Sequence, residues 1–528
     1  MLIKNKMRKV SNLLILLFII FSQNSYANKN ANIDLQVFQY IDNSWELLKR
    51  DSLLQSSMDP KISSTESIIY IPPTENIAEL QKKQIHAQIK LAYLPQKTGE
   101  IKIHGLLYLP HPYIVPGGRF NEMYGWDSFF IVLGLLENNQ FNLAKNMIDN
   151  FIYEINNYGT ILNANRTYYL GRAQPPLLTE MVLAYYEKRP DKLWLKNTLP
   201  AINKLYHFWT SAPHAIPEIG LSRYYAPGTG PTPEESPIYY TKVLNYFKNY
   251  SGKEYDIRLY YDKKKNRLTD LFYTADRTLR ESGLDISAKY GPFGVEILDY
   301  APVDLNVFLY KMECDAQKIN ELLGNVKESI KWKKRAQARA DNINSYLWNE
   351  ATGYYLDYNF KKKQQKYYPY ATTFYPLWAG VASIKQAEAV RKHVPDLLLE
   401  GGIVTSTNYS GLQWDAPFGW APMQYFAVLG LDRYGYKQVS REIARRFIKT
   451  VNLGFQQNHA IFEKYDVRTV STLTENKIKY SYATNEIGFG WTNGVYLVLN
   501  NYINSQKSLA AKVILNGKIN KQQIHAET

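Results

Sequence analysis

The sequence predicts one large all-α domain whose loops gather at one end around a site. Three observations carry that prediction. Apolar residues recur at spacings of three and four, with one spacing of one: Leu305, Phe308, Leu309, Met312, Ala316, Ile319 and Leu323 mark a helix over 304–323 with one face toward a core. Similar patterns run over 176–188, 193–209, 327–347, 420–432 and 437–450, and no regularly spaced run of alternating strands appears. The segments between them, 110–128, 161–176, 223–240, 281–302, 401–422 and 482–494, are rich in Gly, Pro and aromatic residues, as loops are. A 528-residue chain with 45% hydrophobic and 21% charged residues has the composition of a soluble protein with a large core. No Ser/Gly linker divides it.

In chain order, residues 1–27 have the pattern of an export signal. Lys4, Lys6, Arg8 and Lys9 precede the apolar run Leu13–Phe21, and Ser25-Tyr26-Ala27 ends in a small residue. Cleavage after Ala27 and a periplasmic, or secreted, protein are the expectation. The apolar run falls short of the roughly 20 residues that span a bilayer, so no stable membrane insertion is expected. Residues 28–100 are expected to pack peripherally on a helical domain over 101–505, and the Lys- and Gln-rich stretch 506–528 to fray. Cys314 is the lone cysteine, so no internal disulfide forms.

The formal charge is +15, and the residues after position 27 remain basic as a group. The basic residues are spread out, apart from short runs at Lys263–Lys265 and Lys361–Lys366. A nucleic-acid-binding protein would cluster them on a recognisable module, and none is present. There is also no P-loop or G-x-G-x-x-G, and the eight His form no H-x-x-x-H or Cys/His cluster. No nucleic acid, no cofactor and no metal are expected, and the protein is expected to be a monomer.

The loops carry the chemistry. Residues 116–130 read Pro-Gly-Gly-Arg-Phe-Asn-Glu-Met-Tyr-Gly-Trp-Asp-Ser-Phe-Phe. A sharp turn delivers Arg119 and Asp127, which are hydrogen-bonding groups, beside the flat rings of Phe120, Tyr124 and Trp126. That mixture suits a sugar, with its hydroxyl rim and apolar C–H faces. Asn163, Arg172 and Gln174 sit on a loop that ends at Pro175-Pro176. Residues 411–422 place Trp414, Asp415 and Trp420 among turn residues, and 488–494 read Gly-Phe-Gly-Trp-Thr-Asn-Gly.

Taken together these blocks resemble the trehalases, inverting glycoside hydrolases with an (α/α)6-barrel catalytic domain. Residues 116–130 look like the first trehalase signature and 413–422 like the second. Glu281-Ser282-Gly283-Leu284-Asp285, Pro302 to Asn306, Gly401-Gly402-Ile403, Glu463-Lys464-Tyr465-Asp466 and 488–494 follow in the family's order, and the resemblance covers roughly 100–500. It implies hydrolysis of the small disaccharide trehalose to two glucoses. It implies Asp285 as general acid and Glu463 as general base. It also implies a sugar-binding set of Arg119, Phe120, Trp126, Asp127, Asn163, Arg172, Gln174, Glu234, Gly283 and Trp414. The planar guanidinium of Arg119 or Arg172 grips two adjacent hydroxyls. Among rival carboxylates, Asp127 and Asp415 are expected to bind sugar hydroxyls, with Glu486 the remaining rival.

The chain departs from the family pattern at three places. Thr232 in Pro231-Thr232-Pro233-Glu234 replaces a usual Arg, Leu284 replaces a usual Trp, and 471–476 lacks the glycines of bacterial members. One lost charged hydrogen bond costs on the order of 1.5–3 kcal/mol. Two further readings therefore stay open: an inverting glycosidase of the same fold acting on another glucoside or a modified trehalose, and a sugar-binding protein without turnover.

Overall fold

The computed structural model describes residues 32–54, 67–83, 85–474, 477–480 and 484–505. The export signal and the C-terminal tail expected from the sequence lie outside these residues.

Twelve helices make two layers. They are α1 (residues 32–48), α2 (Gly125–Glu137), α3 (Phe141–Tyr158), α4 (Leu178–Lys188), α5 (Lys192–Thr210), α6 (Val303–Leu322), α7 (Val326–Tyr346), α8 (Tyr375–Ala379), α9 (Ile384–Lys392), α10 (Ala421–Arg433), α11 (Lys437–Asn458) and α12 (490–505). Neighbouring contacts run α2–α4–α6–α8–α10, which gives an inner ring. Helix α12 closes it: Tyr502 donates a 2.8 Å hydrogen bond to Asp432 of α10. On its other side, a Cβ at Gly494 would lie 2.0 Å from the Phe130 carbonyl oxygen of α2, so only glycine admits that approach. Helices α3, α5, α7 and α11 pack outside their preceding partners. Helix α1 covers α12, with Phe38 edge-on to Tyr496 at 5.8 Å and Asp34 accepting from the Tyr496 hydroxyl. The fold is an (α/α)6 barrel.

Layer position explains the sequence patterns. Outer α3 buries a stripe of Ala144, Met147, Ile148, Phe151 and Ile155, with Asn150 and Glu154 beside it, and leaves its other positions partly or fully exposed. Inner α2 buries Trp126 to Val132 without a break, because it has neighbours on every side. The one-faced pattern read over 304–323 is likewise too narrow: Val303 to Leu309 of α6 are all buried.

Short strands lie outside the helices. Ser67–Ile71 pairs in parallel with Ile89–Tyr93 and with Leu106–Leu107. Each is five residues or fewer, too short to show alternation. This sheet braces a barrel loop: the Leu107 amide donates to the Asn165 carbonyl at 2.8 Å, and the Asn165 side chain accepts from the Met123 amide at 2.7 Å. A buried ion pair, Arg166 Nε to Glu122 Oε1 at 2.6 Å, fixes the same two loops to each other.

Candidate active site

One cavity of about 350 Å³ collects the loops. Its wall includes Arg119, Phe120, Trp126, Asp127, Asn163, Arg172, Gln174, Glu234, Gly283, Asp285, Trp414 and Glu463, so the expected acid, base and sugar-binding set implied by the resemblance faces one space.

Tryptophans form part of the wall. Trp414 stacks on Trp420 with ring centroids 4.1 Å apart and an angle of 5°, and Trp126 and Trp491 pack against Trp414 at 5.7 and 6.1 Å. Burying four such rings fixes the loops that carry them. The Trp126 amide donates to Gln174 Oε1 at 2.8 Å, and Trp491 Nε1 donates to the Glu463 carbonyl at 3.0 Å. Gly283 has φ of +76°, and a Cβ there would lie 2.8 Å from Trp126 Cε2. Gly283→Ala should therefore destabilise the protein by about 1–3 kcal/mol and, by shifting Trp126 and Asp285 together, lower kcat/KM about 10- to 100-fold. Thermal melts and steady-state rates check both.

The two candidate carboxyls differ in surroundings. The Asp285 side chain, 32% exposed, borders the cavity, with Arg280 Nη1 3.9 Å from Oδ2. Burial pushes its carboxyl up to about 7, against the pull of Arg280 and Arg172. The Glu463 side chain is 3% exposed and accepts a 2.8 Å hydrogen bond from Lys464 Nζ. Burial, then Glu463, then more weakly Asp285, pushes the third carboxyl, Asp127, well above the usual carboxylate range.

Arg172 donates to Asn163 Oδ1 at 3.0 Å and forms an ion pair with Glu234. Burial works to raise Glu234, but Arg172 and then Arg280 outweigh it and hold it below its ordinary value. Two buried polar atoms of cavity residues, Arg172 Nε and Gln413 Oε1, make no hydrogen bond within the protein.

Two expectations need correction. Asp415 does not bind in the cavity. It is fully buried behind it, accepting from the Ala288 amide and from the hydroxyls of Ser406, Ser410 and Tyr368 at 2.7–2.9 Å. It fastens the 404–420 loop to its neighbours. The cation expected to be missing at Thr232 is present from another position. Thr232 is buried against the Tyr240 hydroxyl at 3.0 Å, off the cavity. Arg280, on the last turn of the helix Asp270–Glu281, reaches the cavity instead. Asp276 and Glu235 hold its guanidinium at 3.2 and 3.1 Å. Sequence reasoning started the Glu281–Asp285 block one residue too late to include it. The signal was there: Asp276 and Arg280 stand four apart on one helix, directly before the candidate acid. Glu486, the remaining rival, pairs with Arg119 at 3.2 Å.

A family model described as Trehalase matches residues 13–504. The chain belongs to the trehalase family. The cytosolic neutral trehalase of Saccharomyces cerevisiae is 38% identical over 502 residues, 83% of this chain and 66% of its own length. The corresponding Kluyveromyces lactis protein is 38% identical, covering 85% of this chain and 64% of its own. This trehalase-family chain thus spans just under two thirds of these curated relatives. The solved structure of neutral trehalase Nth1 from Saccharomyces cerevisiae superposes with a TM-score of 0.76 at 34% identity, covering 90% of this chain and 95% of that one.

The relatives overturn the expectation of a periplasmic protein with an export signal. Both curated trehalases are named cytosolic, which runs against a periplasmic location. The family match also begins at residue 13, inside the apolar run taken as the signal's core. A few basic residues before a short apolar stretch are a compositional pattern that other N-terminal segments share.

Proposed function

We propose that this protein hydrolyses α,α-trehalose to two glucoses with inversion at one anomeric carbon. The observation that carries the reading is the pairing, on one cavity, of a carboxyl pushed up to about 7 at Asp285 with a carboxylate set against an ammonium at Glu463. Asp285 gives its proton to the glycosidic oxygen as the C1–O bond breaks, so glucose leaves as a neutral alcohol. Glu463 takes a proton from water as the hydroxyl adds to the opposite face of C1. The attacked sugar leaves as β-glucose and the departing one keeps its α configuration. Solvent then resets both carboxyls.

The remaining residues grip the rings. Trp126, Trp414 and Phe120 offer apolar faces, while Arg119, Asp127, Asn163, Arg172, Gln174 and Glu234 meet hydroxyls. Arg280 supplies the charge that Thr232 does not. No metal or cofactor enters these steps.

Two measurements test this reading. On a panel of α-glucosides, trehalose should be cleaved fastest. Cleavage of maltose or a modified trehalose at an equal or higher rate contradicts it. The pH profile of kcat/KM should fall on its alkaline side near pH 7, because Asp285 loses the proton it donates as the pH rises through about 7. A rate still rising at pH 8 would be inconsistent with Asp285 as the acid.

A further inference from the structure

Lys464 is a buried cation that the mechanism above does not use. Its side chain is fully buried, with Nζ 2.8 Å from Glu463 Oε2 and 3.2 Å from the Thr484 carbonyl oxygen. It begins the strand Lys464–Asp466, which pairs antiparallel with Phe418–Trp420 so that Trp420 stands opposite Lys464. Nζ lies 5.2 Å from the centre of the Trp420 ring, itself stacked under Trp414. The Asn485 side chain holds the Lys464 backbone from both sides, accepting from its amide at 3.2 Å and donating to its carbonyl at 2.9 Å. The ammonium therefore sits in a fixed place with a fixed direction.

The groups facing Glu463 make that cation necessary. Asp127 of α2 and Asp285 border the same cavity as Glu463. Glu486, whose carbonyl accepts from the Glu463 amide at 2.8 Å, adds a further carboxylate, and Arg119 neutralises Glu486 at 3.2 Å. Four carboxyl groups thus share one small region, and like charges disfavour one another's ionised forms. A general base has to be ionised to accept a proton from water.

We infer that Lys464 is a positioning residue for the candidate base. Its ammonium, held 2.8 Å from Oε2, favours the ionised form of Glu463 among the neighbouring carboxyls. The inference rests on Glu463 as general base.

The test is the pH profile of kcat/KM on trehalose for the full-length protein and four variants. Lys464→Met keeps length and burial but removes the charge. Lys464→Gln keeps a donor to Glu463 and serves where Met disturbs packing. In either, the acidic limb should move up by about one pH unit and kcat should fall about tenfold or more, with KM changed by less than about threefold. Lys464→Arg restores a cation and should bring the limb back toward that of the parent. If both neutral variants keep the parent's acidic limb while Glu463→Gln is inactive, the role of Lys464 is overturned and the base assignment stands. If Glu463→Gln keeps its turnover, the base assignment fails and takes the role of Lys464 with it.

Discussion

Asp285→Asn and Glu463→Gln should each lower kcat on trehalose by about 10²–10⁴-fold, the range for removing a general acid or base. Neither change should unfold the protein: backbone contacts seat both residues, and in Glu463→Gln the side-chain amide oxygen still accepts from Lys464 Nζ. Asp285 is held through its carbonyl, which accepts from Gln413 Nε2 at 2.6 Å. Glu463 is held through its amide and its carbonyl, by Glu486 and Trp491. Binding should therefore survive while turnover does not. Calorimetric titration with trehalose checks binding, and stopped assays for glucose check turnover. This pair of readouts also decides the reading of a silent sugar binder, which requires that the parent protein bind sugar and release no glucose. Retained turnover in either variant moves the chemistry to another carboxyl.

The second large effect is expected at Arg280. Its guanidinium lies among Asp276, Glu235 and Asp285, all within 4 Å. Removing the charge with Arg280→Met leaves buried carboxylates uncompensated and should destabilise the fold by about 3–5 kcal/mol. Arg280→Lys keeps the charge but loses the planar fork. It should cost about 1.5–3 kcal/mol of transition-state binding, or roughly a 10- to 150-fold loss of kcat/KM. The pH profile of the same variants carries a separate sign. Arg280 favours the ionised form of Asp285, so its loss should raise that carboxyl further and carry the alkaline limb to higher pH. A kcat/KM within threefold of the parent in Arg280→Lys would show that the guanidinium is not in contact with substrate.

Much of this was legible in the sequence for a physical reason. An outer helix such as α3 alternates buried and exposed positions with the helical period, so its pattern announces it. An inner helix such as α2 is enclosed on all sides, and its apolar run looks the same whatever surrounds it. Ring closure was not legible, because it depends on Gly494 meeting Phe130 across more than 300 residues of chain. Site residues were readable where aromatic and polar types crowd into one loop, as from Arg119 to Asp127. Asp415 shared that crowding but is occupied by protein donors, and only geometry distinguishes a carboxylate aimed into a cavity from one aimed behind it. Arg280 and Thr232 show the converse. A charge missing at one position of a loop was restored by a helix end 48 positions later, and a position-by-position comparison does not reveal such an exchange. The location was misjudged because composition alone cannot separate an export signal from another short apolar segment.

The central claim is that Asp285 and Glu463 split trehalose by a single inverting displacement. The most direct measurement is proton NMR of the anomeric region in the first moments of hydrolysis, before mutarotation. Equal amounts of α- and β-glucose are expected, one from each half of the disaccharide. α-Glucose alone, or trehalose left intact by protein that binds it, would contradict the claim.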